Sequence, residues 1–190
     1  MNKIILASGS PRRKQLLELA EISFEVIVSD VDETFPEGLS FSETATHIAE
    51  NKALAVQVNL NQHNSHAQTI IAADTVVVLK NEIIGKPKNR EEAIAILSSL
   101  SGKTHKVITG VCILSFEKKI IFAEETEVKF HPLSISQIEY YIDHYKPYDK
   151  AGAYAIQEWI GAIGIKFIKG DFYNVMGLPV SRVVKELQSL

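Results

Sequence analysis

Short apolar runs alternate with amphipathic helical patterns from one end of this chain to the other, and no other feature limits the fold as strongly. Residues 3–7 (KIILA) and 24–28 (FEVIV) read as strands. The helix between them starts at Pro11, behind the N-cap candidate Ser10. Ser40 and Glu43 have capping-box spacing and open a helix with Ala45, Ile48, Ala49 and Val56 on one stripe. The polar stretch 59–68 reads as a surface loop. Residues 69–73 and 76–79 are strand-like, and Asn81-Glu82 turns the chain back into Ile83-Ile84. Asn89 and Glu92 cap a helix through Ala93, Ile96, Leu97 and Leu100, which Gly102 ends.

Between residues 106 and 130, two long β-rich runs flank Glu117-Lys118-Lys119, the pattern of a hairpin. Residues 136–145 repeat the helical pattern, 163–168 form a late strand, and Pro179 starts a last helix with Val180, Val183, Val184 and Leu187 facing inward. A mixture of βα units and hairpins implies an α/β fold, a mixed twisted sheet with flanking helices. At 190 residues the chain suits one domain, or at most two small lobes around a shared core.

Charge and composition narrow the function classes. Lys+Arg number 20 against 23 Asp+Glu, a net charge of -3, which argues against a basic nucleic-acid-binding surface. No apolar run approaches the roughly 18 residues of a membrane span, and the start lacks a signal-peptide core. One cysteine, Cys112, cannot form an internal disulfide, which fits a reducing cytoplasm. His63, His66, Cys112 and His131 show no zinc-like spacing.

Several polar residues sit where a purely structural pattern would not put them. Arg12 and Arg13 occupy a first helical turn, whose partial positive charge they oppose. With Ser8, Ser10 and the unpaired N–H groups they make an anion site of phosphate type, or else two solvated arginines. Lys52 falls on the apolar stripe between Ile48 and Val56, so it either covers the core edge with its stem or delivers an ammonium to phosphate oxygens. Asp74 interrupts an apolar stretch, which places it at a strand end facing a cavity or makes it a cap for neighbouring N–H groups. Thr75 could bond a ligand or favour the strand. Gly85-Lys86-Pro87 holds a lysine between a flexible residue and a rigid one. Asp30, Asp32 and Glu33 form an acidic cluster, a solvated loop face or a hard-cation site. Gln157 carries both donor and acceptor groups, as reading a base edge requires.

In order and spacing, LASGSPRRKQLL (6–17), Glu33, ENKA around Lys52, AADTVV (72–77), GKP (85–87), LSGKTH (100–105), DKAGAYAIQ (149–157) and YNVMGLP (173–179) resemble the Maf family of nucleoside triphosphate pyrophosphatases over nearly the whole chain. The resemblance implies a two-lobed, inosine triphosphatase-like fold around a cleft and a possible homodimer. It also implies hydrolysis between the α- and β-phosphates of a nucleoside triphosphate. Arg12, Thr75 and Gln157 fall on positions associated with base choice, and the AIQ form resembles the subgroup acting on dTTP and UTP. The chain departs from that subgroup after Gln157, where Glu158-Trp159-Ile160 stand in place of a common glycine.

On this reading Arg12, Arg13, Lys52 and Lys86 neutralise the triphosphate. Asp74 is the candidate general base or metal ligand, and Glu33 could complete the shell of a divalent cation, Mg²⁺ or Mn²⁺. An aspartate alone is a weak base at neutral pH, and a metal that acidifies its bound water relieves that weakness. The competing expectation comes from the family's link to septum formation: a nucleotide-binding regulator of cell division with little turnover.

Overall fold

The computed structural model describes residues 3–28, 31, 34–62, 68–115 and 118–190. Among them are seven strands: β1 (Lys3–Leu6), β2 (Phe24–Val26), β3 (Gln68–Leu79), β4 (Glu82–Ile84), β5 (Thr104–Leu114), β6 (Lys119–Phe130) and β7 (Ile165–Lys169). They form one mixed sheet in the order β2-β1-β3-β5-β6-β7, with β4 paired to β3. β1 runs parallel to both β2 and β3, whereas β4 and β7 run antiparallel to their partners. The helices are α1 (Pro11–Leu19), α2 (Phe41–Gln62), α3 (Arg90–Leu100), α4 (Ile135–Tyr145), α5 (Trp159–Gly164), α6 (Phe172–Met176) and α7 (Val180–Leu187). Among the described residues, no helix is long and apolar enough to cross a membrane.

The chain sorts into two compact units, each discontinuous in sequence. One comprises Met1–Asp74, Thr109–Glu124 and Gly177–Leu190; the other comprises Thr75–Ile108 and Glu125–Met176. In the first, α2 lays Ala49, Ala53 and Val56 against Ile5, Ile70, Ala72 and Cys112 of β1, β3 and β5. Alanines four apart keep that face of the helix low, and the sheet answers with Gly110 on β5. A Cβ there would stand 2.3 Å from the Ala45 carbonyl carbon and the Thr46 nitrogen, so helix and strand backbones touch. In the second unit, Leu97 and Leu100 of α3 and Ile138, Tyr141 and Ile142 of α4 share a core with Phe130, Tyr154 and Ile160.

The local signals act largely as their chemistry dictates. Ser40 and Glu43 form a reciprocal capping box, with Ser40 N–H donating to Glu43 Oε2 at 2.8 Å. Asn89 Oδ1 accepts from the Glu92 N–H at 2.8 Å. Gly102 follows α3 with a left-handed φ of 67°.

Several expectations are corrected. α2 continues through Gln62, so residues 59–62 are helix rather than loop; Leu60, one turn past Val56, still packs on the core. β3 is one unbroken strand of 12 residues, so Asp74 lies inside it and not at an end. The β3–β4 turn is centred on Lys80 and Asn81, both with positive φ, one residue before the expected place. α4 begins at Ile135 behind a capping box of Ser134 and Gln137. β7 begins at Ile165 because residues 163–164 close α5, where a Cβ on Gly164 would stand 3.2 Å from the Phe130 ring.

Candidate active site

In the first unit the RRK turn is built around a serine that precedes it. Ser10 occupies the N-cap of α1, yet its side chain makes no capping bond. The Ser8 hydroxyl does the organising: it accepts from the Ser10 N–H at 3.3 Å and from Arg13 Nη1 at 3.0 Å. Arg13 Nε donates to the Gly177 carbonyl at 2.7 Å, across 164 residues of sequence. The LASGSPRR and NVMGLP motifs are thereby tied together by one buried guanidinium. Arg12, its neighbour, is half-buried. The two arginines therefore differ in circumstance, although the sequence presents them alike.

Lys52 and Asp74 meet by periodicity. On β3, Ile70 and Ala72 face the core under α2, and a period of two puts Asp74 on that same face. Lys52 on α2 places Nζ 2.7 Å from Asp74 Oδ1, with the side chains only 16% and 13% exposed. A carboxylate inside an apolar strand is thus matched by a lysine inside an apolar helical stripe. Thr75, next along β3, is half-buried, and the same alternation turns it to the opposite face.

The second unit holds Lys86 and Gln157. Lys86 is exposed, but the loop beneath it is anchored on both sides. The Gly85 carbonyl accepts from the Gly152 N–H at 3.1 Å, the Lys88 N–H donates to Glu92 Oε2 at 2.9 Å, and Pro87 is buried. Gln157 is exposed at the end of the DKAGAYAIQ segment, whose Ala153–Ile156 are buried. Glu158 and Trp159 are half-buried: Glu158 is bonded to Tyr141, and the Trp159 ring lies 4.8 Å from that of Tyr140.

Two polar residues beneath the segment carried no signal in the sequence. His105, 2% exposed, bonds through Nε2 to the Tyr154 hydroxyl at 2.7 Å and stacks on Phe130. Burial pushes its imidazole down to about 4, so it is neutral at pH 7. Asn174, fully buried, donates to the Val107 carbonyl and to Thr126 Oγ1, both at 3.0 Å. Both lie in motifs named above, LSGKTH and YNVMGLP, which is the only hint the sequence offers. Cys112 is no nucleophile, since burial pushes its thiol up to about 12.

Glu33, with Asp30 and Asp32, lies outside the described residues. Among the described residues no three His, Cys, Asp or Glu side chains cluster as a metal cage. A hard divalent ion on a phosphate substrate does not need one: one or two carboxylates plus phosphate oxygens are its usual shell. The oxygen chemistry of Asp74 fits that arrangement.

The architecture is that of an α/β protein with Arg12 in the first turn of α1, Lys52 midway along α2 and Asp74 inside β3. The chain belongs to the Maf family: the family described as Maf-like protein matches residues 3–190. A dTTP/UTP pyrophosphatase of Parabacteroides distasonis is 49% identical over 98% of this chain and 95% of its own length. One of Cytophaga hutchinsonii is 51% identical over 98% of this chain and 84% of its own. A Bacillus cereus protein of the same name is 49% identical over 99% and 95%.

Proposed function

We propose that this chain hydrolyses dTTP and UTP, together with modified pyrimidine nucleotides, to the monophosphate and pyrophosphate. It would work in the cytoplasm, with residues 1–190 serving as one catalytic domain. The observation that carries this reading is the Lys52–Asp74 pair, an ammonium and a carboxylate 2.7 Å apart in a chain of this family. The ammonium has three N–H donors, so it can orient Asp74 and still donate to a phosphate oxygen.

In the reaction, a water oxygen attacks the α-phosphorus and the bond to the α–β bridging oxygen breaks. Pyrophosphate leaves with the bonding electrons, and the water's proton passes to Asp74. Arg12, Lys52 and Lys86 offset charge on the phosphate oxygens, worth most in a site from which water is excluded. Arg13 and Ser8 hold the turn that carries Arg12. Gln157 contacts the nucleoside through its amide to the pyrimidine edge. A divalent cation, Mg²⁺ or Mn²⁺, held by Asp74 and Glu33, would supply charge neutralisation and a more acidic water.

The test is pyrophosphate release by the purified protein with Mg²⁺ across UTP, dTTP, CTP, GTP, ATP and 7-methyl-GTP. Rapid release confined to UTP and dTTP is the expected result. Release from a purine nucleotide alone would refute the base assignment. Tight binding without release from any would put the nucleotide-binding regulator first.

A further inference from the structure

The hydroxyl of Tyr141 is bonded to both ends of the turn that presents Gln157. Residues 155–158 form a four-residue turn closed by the Glu158 N–H donating to the Ala155 carbonyl at 3.1 Å. Ile156 and Gln157 are its central residues; Ile156 is buried and Gln157 exposed. At the first end, the Ala155 N–H donates to Tyr141 Oη at 3.1 Å. At the other, Tyr141 Oη–H donates to the Glu158 carboxylate at Oε2.

Each member of this clamp is itself held. Tyr141 is fully buried on α4 between core residues Ile138 and Ile142, so its hydroxyl has a fixed origin. The second carboxylate oxygen of Glu158 faces Lys150 Nζ at 3.6 Å, and Lys150 is 7% exposed and also paired with Asp149 at 2.8 Å. The Glu158 carbonyl accepts from the Gly161 N–H at 2.9 Å, joining the turn to α5. A Cβ on Gly161 would fall 1.7 Å from the Ile156 carbonyl oxygen, so α5 begins hard against the turn's floor. Of the four turn residues only Gln157 is exposed.

We infer that Tyr141 and Glu158 are positioning residues that set base selectivity by fixing the turn bearing Gln157. The inference rests on the proposed function for the role of Gln157 itself. A glutamine amide discriminates between bases only if its donor and acceptor ends are aimed, and a turn that rocks blurs that aim. A carboxylate accepting from a tyrosine hydroxyl makes a stronger tie than a neutral pair. Glycine at position 158 would leave the Tyr141 hydroxyl and the Lys150 ammonium without this acceptor. The acidic departure at Glu158 is therefore an added brace on the base-reading turn.

The experiment compares full-length wild type with Tyr141→Phe, Glu158→Ala and Glu158→Gln, each assayed on UTP and CTP, with melting temperatures recorded alongside. Tyr141→Phe and Glu158→Ala should raise KM for UTP about tenfold and compress the UTP-over-CTP preference in kcat/KM by a similar factor, with kcat for UTP kept within about twofold. Glu158→Gln keeps an oxygen acceptor and should restore the wild-type preference. An unchanged UTP-over-CTP ratio in folded Tyr141→Phe and Glu158→Ala would overturn the clamp, whatever their melting temperatures. A fall in kcat with unchanged KM would overturn it too. A wild-type protein that hydrolyses no nucleoside triphosphate would instead overturn the proposed function, and the selective role of the turn with it.

Discussion

Where α2 crosses β3, Lys52 and Asp74 form an ion pair that keeps 16% and 13% of each side chain in contact with solvent. In the core of the other unit, His105 and Tyr154 make an equally short bond at 2% and 6% exposure, and both are neutral at pH 7. Burial alone holds the imidazole proton off and keeps the phenol proton on. The difference is one of purpose. On the proposed function, the pair that would meet a charged ligand lies near the surface, whereas the pair that shapes the core gives up its charge in return for depth.

The hardest blow to the charged pair is Asp74→Asn. Turnover should fall by a factor of 100 or more, read as pyrophosphate release under saturating metal. The amide oxygen can still accept from the ammonium, so the variant should remain folded; a near-normal rate would remove Asp74 from the chemistry. For the neutral pair, pH is the lever. The folded pKa of His105 lies near 4, below the ordinary histidine value, so the unfolded chain binds the proton first as pH drops. Its contribution to stability is present above about pH 6.5 and lost progressively towards pH 4. Between pH 7 and pH 5 wild type should lose about 2 kcal/mol more than His105→Gln in denaturant titrations; parallel losses would show that the imidazole is not held neutral.

The adjacent arginines give the smallest contrast and the most selective one. Arg13→Ala removes the bonds to the Gly177 carbonyl and the Ser8 hydroxyl, and should lower stability by about 1.5 kcal/mol, a few degrees in melting temperature. Arg12→Ala should raise KM for UTP roughly tenfold. If the two variants exchanged these phenotypes, the division of labour at α1 would be reversed.

What could be read from the sequence was local. The Ser40–Glu43 box and the Asn89 cap depend on residues three apart, and the structure keeps both. The Ser134–Gln137 box has the same three-residue spacing, and it starts α4 one residue ahead of the helical pattern at Ser136. Asp74 misled because a charge in an apolar strand looks like a strand end; the residue that makes it tolerable is Lys52, 22 positions earlier on another element. Arg12 and Arg13 were indistinguishable for the same reason, since Gly177 lies 164 residues away. His105 and Tyr154 are hard to read from sequence because their partnership spans 49 residues, with His105 among polar neighbours and Tyr154 among alanines.

Gly110 has a consequence for reach. Because β5 has no side chain there, α2 rests on its backbone at Ala45 and Thr46. Lys52 lies seven residues further along the helix, about two turns and some 10 Å. The same close approach lets Ala49 and Ala53 lie on the sheet further along α2. A methyl group at 110 would lift the near end by an ångström or so and swing the ammonium off its aim, with no charged residue altered. The tolerance of this site is thus set by the thickness of a single missing carbon on the opposite surface.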